Sequence, residues 1–270
     1  MMELSIVIIN YNTFELTCQC IDSIVDKTHD VSYEIIVVDN ASHERDPQEF
    51  ARRYPQIKLV RSEKNVGFAG GNNLGIAVAE GQYIVLLNSD TVLLNNAMAV
   101  CLNYLKAHPD VAVVGSALFY PDGTRQHNCQ RFPSIRYKLF ELFRLQKFLP
   151  RKTGGKILLG GFFDHAEPVE TDWIWGTYFM FEKKLLNRLK GGKLAETFFM
   201  YGEDVQWCLE FRKLGYRIAY EPAAHVLHLM GKSGGAKTDL MKKNEATFMQ
   251  LYYTPLERFL IRQLNRLLAP

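Results

Sequence analysis

Runs rich in β-branched residues at 4–10 (LSIVIIN), 33–40 (YEIIVVDN), 57–62 (IKLVRS), 83–90 (YIVLLNSD) and 111–118 (VAVVGSAL) read as buried strands. Between them, stretches at 14–27, 46–54, 70–80 and 95–107 carry helical spacing. Strands apolar on both faces and alternating with helices predict an α/β fold: a mostly parallel central sheet flanked by helices, Rossmann-like in its alternation. In such sheets ligands bind beyond the carboxyl ends of the strands. Those ends are polar here: Asn10-Tyr11-Asn12, Asp39-Asn40, Asn65-Val66-Gly67 and Asn88-Ser89-Asp90.

Beyond residue 118 the rhythm changes. A hairpin is expected about Pro121-Asp122-Gly123. Residues 136–149 (RYKLFELFRLQKFL) form a helical stretch that is aromatic, basic and apolar nearly all round. Strand character returns at 169–184, followed by a helix at 203–214 and a strand at 216–220. At the end, PLERFLIRQLNRLLAP sets Arg258, Arg262 and Arg266 on one helical face, with Leu256, Leu260, Leu264 and Leu267 roughly opposite. Such an amphipathic basic helix has three candidate partners: an anionic membrane surface, a second subunit in a homodimer, or its own domain. No repeat or low-complexity linker divides the chain. The reading is one domain over 1–235, with a nucleotide-binding half (1–118) and an acceptor and catalytic half (119–235), then a helical extension at 236–270.

Composition changes this picture only where it is uneven. With 47% hydrophobic and 23% charged residues the chain is ordinary for a globular protein. Residues 1–135 hold 10 Lys/Arg against 15 Asp/Glu, whereas residues 136–270 hold 22 against 14. The basic second half either meets an anion, such as phosphate or an acidic membrane, or is a solvated face. Five scattered cysteines without zinc spacing fit free thiols in a reducing compartment. No signal-peptide pattern opens the sequence and no apolar run approaches the ~20 residues needed to span a bilayer. A cytoplasmic protein is expected, with peripheral attachment to the cytosolic face of the membrane left open.

Four constellations carry candidate chemistry. Asp39 in VVDNAS ends a buried strand, where a carboxylate accepts hydrogen bonds from a base or ribose, or caps the following turn with Ser42. NVGFAGGNNLGI (65–76) gathers Gly67, Gly70, Gly71 and Gly75 with Asn65, Asn72 and Asn73 at a strand-to-helix junction, where glycines permit close approach of backbone to a ligand. Its spacing is not that of a dinucleotide fingerprint, and it lacks the P-loop lysine. In LLNSD, Asp90 beside Asn88 and Ser89 offers oxygens of the kind Mg²⁺ or Mn²⁺ binds. Glu203 and Asp204 sit at a helix start, diverging by ~100°, so one can enter a cleft as a base while the other binds substrate or caps. His225 and His228 follow a strand.

In order, SIVIINYN, VVDNAS, NVGFAGGNNLGI, LLNSDT, WIWGTYFMFEKK and YGEDVQWCLEFRKLGY…HVLH…GKS resemble the inverting family 2 glycosyltransferases of GT-A fold, and among them the rhamnosyltransferase-like branch. The likeness runs over about residues 4–233. It implies that Asn10, Tyr11, Asn12, Asp39, Asn65, Gly67, Gly70, Asn72, Asn73, Asn88 and Ser89 form the nucleotide pocket. It further implies that Asp90 and His228 hold Mg²⁺ or Mn²⁺, that Asp204 is the catalytic base, that Trp175, Gly176 and Glu203 line the acceptor side, and that Ser233 lies in a loop over the diphosphate. The implied partners are a dTDP-, UDP- or GDP-sugar and a glycan or lipid-linked acceptor of cell-surface polysaccharide synthesis, not nucleic acid. Departures from the pattern are Asn88 for the first acid of the D-x-D motif, Ser89 for its middle proline, and Gln206 and Glu210 where the branch often has Asp and Arg. A sugar nucleotidyltransferase and a non-catalytic nucleotide- or glycan-binding homologue are the alternatives.

Overall fold

The structure, a computed structural model, describes residues 2–229 and 236–268. In chain order the elements are β1 (Leu4–Asn10), α1 (Phe14–Lys27), β2 (Tyr33–Asp39), α2 (Gln48–Arg53), β3 (Lys58–Arg61), α3 (Gly67–Val78), β4 (Tyr83–Asn88), β5 (Thr91–Leu93), α4 (Ala97–Ala107) and β6 (Val111–Phe119). The second half adds β7 (Cys129–Gln130), α5 (Ile135–Leu142), a 3-10 turn at Leu145–Phe148, α6 (Arg151–Leu158), β8 (Val169–Thr171), β9 (Trp173–Ile174) and β10 (Tyr178–Glu182). It closes with α7 (Glu203–Lys213), β11 (Arg217–His228), α8 (Ala236–Tyr252) and α9 (Pro255–Leu268).

A nine-stranded sheet runs in the order β3-β2-β1-β4-β10-β6-β11-β5, with β8 also on β11. The α/β architecture is as expected, but the sheet is mixed rather than mostly parallel. β3, β2, β1 and β4 are parallel, as are β6 and β11. β10 lies antiparallel between β4 and β6, and β5 and β8 lie antiparallel on β11. Successive side chains of a strand face opposite sides, which is why β1 feeds two cores: Leu4, Ile6 and Ile8 pack with α1 and α4, while Val7 packs with α3.

Glycines set how closely α3 approaches the sheet. A Cβ at Gly75 would lie 2.4 Å from Val7 Cγ1, and one at Gly71 would lie 3.0 Å from Ile9 Cδ1. The expected hairpin forms at 120–124, where Tyr120 N–H donates to Thr124 O and Gly123 N–H to Tyr120 O. The helix expected at 136–149 is broken: α5 ends at Leu142, and Arg144 takes a left-handed φ of 51° before the 3-10 turn. α9 lies against α5 and buries Ile261, so one apolar stripe of the last helix is covered by its own domain.

Candidate functional site

Register brings the predicted strand ends together. Asn10 stands opposite Asp39, and Ile9 opposite Asn88, so the carboxyl ends of β1, β2 and β4 lie side by side. Buried Asn10 is the hub. Its Nδ2 donates to Asp39 Oδ1 at 2.9 Å and to Ser42 Oγ at 2.9 Å, while its Oδ1 accepts from Thr13 Oγ1 at 3.1 Å and Thr17 Oγ1 at 3.0 Å. Asp39 Oδ2 accepts from Ser42 N–H, so the carboxylate shapes the turn after β2 and keeps lone pairs for a further donor. Asn12, at φ 54°, ties the next turn by accepting from His43 N–H, and Tyr11 is exposed above it. Thr13 Oγ1 lies 3.0 Å from Ser89 Oγ, which carries the network to the end of β4.

Asp90 and His228 are brought together although 138 residues separate them in sequence. His228 pairs with Thr91 across β11 and β5, Leu229 N–H donates to Asp90 O, and His228 Nε2 lies 3.5 Å from Asp90 Oδ1. Gln126, buried and absent from the sequence-based site, fixes the imidazole. Its Oε1 is 2.8 Å from His228 Nδ1 and its Nε2 donates to His228 O at 2.9 Å. Because that amide oxygen can only accept, Nδ1 carries a proton, and the ring is turned with Nε2 toward Asp90. An imidazole oriented through its far nitrogen is the usual support of a metal ligand. Among the described residues no three His, Cys, Asp or Glu side chains converge as a metal cage. One carboxylate and one imidazole nonetheless fit a hard dication that takes its remaining ligands from substrate phosphates and water. Asn88, half-buried, ends β4 two residues before Asp90.

The glycine-rich stretch is placed differently from what its composition implies. Gly67 has φ +76°, and a Cβ there would meet Phe199 O at 2.3 Å, so the close approach is to the chain's own backbone. At the start of α3, Gly67 N–H donates to Asn65 Oδ1 and Phe68 N–H to Phe199 O. Buried Asn40 pins this turn: its Nδ2 donates to Asn65 Oδ1 and Gly67 O, and its Oδ1 accepts from Val66 N–H. A Cβ at Gly70 would meet Val66 Cβ at 3.0 Å. Asn72 turns inward onto Phe68 O, and Asn73 holds the 194–196 segment through Leu194 and Glu196. Asn72 and Asn73 are thus engaged within the chain.

Glu203 and Asp204 open α7 after a bend in which Tyr201 has φ 67° and Gly202 φ 107°. Asn244 of α8 braces that bend, donating to Met200 O at 2.8 Å and Tyr201 O at 2.7 Å. Asp204 Oδ2 accepts from Gly176 N–H at 3.0 Å and its Oδ1 from Val205 N–H at 2.9 Å. The next residue, Thr177, accepts from Asn88 N–H, so Gly176 and Thr177 link the Asp204 carboxylate to the end of β4. Trp175 N–H donates to Asn128 O on the same wall. Glu203 is buried, and its Oε2 has no hydrogen-bond partner among the described residues. Burial, and then the Asp204 charge, push the Glu203 carboxyl well above the usual carboxylate range. Asp204 is also raised by burial, against its backbone hydrogen bonds. Two adjacent buried carboxyls in this setting hold a proton more tightly than isolated ones, most strongly at Glu203.

Gln206 and Glu210 bond to each other at 3.1 Å, and Gln206 Nε2 donates to Tyr252 Oη of α8 at 2.8 Å. The two departures therefore serve as a contact between α7 and the helical extension. Ser233 lies outside the described residues. A surface depression of about 540 Å³, lined by Gln82, Lys183 and Asn187 among others, lies at the amino end of β4, away from all these groups.

Residues 5–189 match the family model described as glycosyl transferase family 2. An N-acetylglucosaminyl-diphospho-decaprenol L-rhamnosyltransferase of Mycobacterium tuberculosis is 25% identical over 215 residues, 74% of this chain and 68% of that protein. GalNAc-T7, crystallised with UDP, GalNAc and Mn²⁺, superposes with a TM-score of 0.67 at 16% identity, over 94% of this chain and 49% of that one. The mannosyltransferase PcManGT of Pyrobaculum calidifontis, in complex with GDP-Man and Mn²⁺, superposes with a TM-score of 0.63 at 18% identity, over 97% of this chain and 69% of that one.

Proposed function

The chain belongs to glycosyl transferase family 2, and from that premise we infer that it is an inverting, metal-dependent enzyme working on a nucleotide-diphosphate sugar. The acceptor is a hydroxyl of a glycan, lipid-linked in the first instance, and the pathway is cell-surface polysaccharide synthesis at the cytosolic face of the membrane. Rhamnose is the first donor sugar to test, because the Mycobacterium tuberculosis relative is named for that transfer. Residues 1–118 serve as the nucleotide half, 119–235 as the acceptor half, and 236–270 as an extension that braces α7.

One observation carries the reading: the Asp204 carboxylate is held by Gly176 and Val205 N–H, one residue from the Thr177 carbonyl that binds the end of β4. A base fixed between acceptor wall and strand ends can take the acceptor proton as the oxygen attacks the anomeric carbon from the side opposite the diphosphate. A single displacement inverts the configuration. Glu203, pushed up by burial and by the Asp204 charge, is the member of the pair that holds a proton more tightly. Asp39 and the Asn10 hub give the base and ribose a rigid acceptor edge. Asp90 and His228 would hold Mg²⁺ or Mn²⁺, which supplies positive charge to the departing diphosphate. The Gln206–Tyr252 contact gives the two sequence departures a structural role that does not touch Asp204.

The reading is tested by thermal shift and donor hydrolysis over a panel of dTDP-, UDP- and GDP-sugars, with and without Mn²⁺, beside Asp90→Ala. Metal-dependent stabilisation and turnover with one donor, both lost in the variant, are expected. Metal-dependent stabilisation by a donor with no transfer, even with lipid-linked acceptors supplied, would turn the reading to a binding homologue. Release of pyrophosphate from a sugar phosphate and nucleotide would turn it to a nucleotidyltransferase.

A further inference from the structure

The knuckle after α5 exposes apolar and cationic side chains together. Phe148 is 82% exposed and Phe143 64% exposed. Between and just beyond them stand Arg144, Lys147, Arg151 and Lys152, all exposed, and none makes an ion pair among the described residues. No Asp or Glu occurs from residue 142 to 163. The knuckle is built rather than loose: Gly154 of α6 seats against Gln146, where a Cβ would lie 2.9 Å from the Gln146 carbonyl oxygen.

α9 packs beside α5 and turns Ile261 inward, yet leaves Leu256, Phe259, Arg262 and Arg266 exposed. Two elements more than a hundred residues apart in sequence therefore present neighbouring flanks of one composition. Residues 136–152 and 255–268 together hold nine Lys/Arg against Glu141 and Glu257. Isolated exposed apolar residues are normal on a protein surface, but clustered ones rimmed by charge mark a contact.

We propose that the α5 knuckle and the outer flank of α9 form a docking surface for an anionic lipid bilayer, with Phe143 and Phe148 entering the interface and the surrounding Arg and Lys at headgroup level. Aromatic tips ringed by long cationic side chains suit a boundary where apolar groups sink and charges stay at the phosphates. A second copy of the chain fits the same surface poorly, because a two-fold contact sets the patch against itself and brings its cations face to face. Position in the chain supports the same occupant. β7 pairs with β9 on the acceptor wall, and α5 starts five residues after β7, so docking here would bring that wall toward the membrane. The inference deepens the lipid-linked acceptor of the proposed function, but its test needs no turnover, so either can fail alone.

The test is flotation of the full chain with phosphatidylcholine vesicles, with and without phosphatidylglycerol, at low and high salt. Binding is expected only with phosphatidylglycerol and is weakened by salt. The pair Arg144→Glu and Lys147→Glu should lower partitioning at least roughly tenfold, and Phe143→Ser with Phe148→Ser by a similar factor. Separately, Phe148→Trp should show a blue-shifted emission increment on adding anionic vesicles, which keeps the test sound if a double variant folds poorly. Failure of the unaltered chain to float, flotation untouched by both pairs, or no spectral change at Trp would overturn the proposal. So would a concentration-dependent dimer that the same substitutions abolish while vesicle binding persists.

Discussion

At the ends of β1, β2 and β4 the buried polar side chains satisfy one another, whereas α7 buries polar atoms that no described residue satisfies. Asn10 alone joins Asp39, Ser42, Thr13 and Thr17. On α7, Glu203 Oε2 and Gln206 Oε1 have no hydrogen-bond partner among the described residues, and Glu203 lies beside a second carboxyl. A closed network holds shape, while a buried polar group left open stores the capacity to bind or move a proton. The contrast fits the roles proposed above, donor positioning for the first region and acceptor chemistry for the second.

The largest expected effect breaks the second region only. Asp204→Asn keeps the size of the side chain but replaces one accepting oxygen with an amide nitrogen, so it gives up one of the two backbone bonds together with the proposed base, and kcat should fall by about 10²–10⁴-fold. Donor KM and the metal-dependent thermal shift should stay near their starting values. Steady-state kinetics beside a melting curve check both, and a comparable loss of donor binding would merge the two regions into one.

Gln126→Leu tests the join between them. It removes both bonds that hold His228, the one to the ring and the one to the backbone carbonyl. Loss of such an orienting partner typically costs 10–100-fold in metal affinity or activity. The concentration of Mn²⁺ giving half-maximal donor stabilisation should rise by about that factor, while Asp204-dependent turnover at saturating metal recovers.

Glu203→Gln reads the stored charge directly through pH. The Glu203 carboxyl is raised in the fold, so between its unfolded and folded values the native state binds more protons than the unfolded chain. Wild-type stability therefore falls as pH rises through that window and levels off above the folded value. The variant does not carry this penalty. Its melting temperature should match wild type near pH 4 and exceed it at pH 9 by a few degrees, on the order of 1–2 kcal/mol. Equal curves at both pH values would mean that Glu203 is not held protonated.

The strand-end region was legible because apolar runs that stop on Asn or Asp announce both a strand and its direction. The family likeness paired Asp90 with His228, and the fold brings the two side chains to 3.5 Å. Gln126, Asn244 and Tyr252 were not legible, because each is a single polar residue whose partner is distant in sequence, as with Gln126 and His228, 102 positions apart. The antiparallel insertion of β10 escaped for a related reason: a short apolar strand reads the same in either direction. Gly67, Gly71 and Gly75 were read as room for a ligand. A missing Cβ signals a close approach but not to what, and here the neighbours are Phe199, Ile9 and Val7.

Tyr252→Phe has the smallest expected effect and sharpens the comparison most finely. Tyr252 accepts Gln206 Nε2 at 2.8 Å, and Lys213 Nζ lies 4.4 Å over its ring. Removing one hydroxyl leaves the aromatic packing against Phe248 in place. The Gln206 amide then loses one of its two partners in a buried setting, at a cost of about 1 kcal/mol. For a chain of this size that is a drop of about 2–4 °C in melting temperature. If α8 merely covers α7, kcat will be unchanged. If α8 sets the launch angle of α7 through Tyr252 and Asn244 together, kcat will fall by a small factor with donor KM fixed, and the acceptor-side region will prove to extend into the last helices.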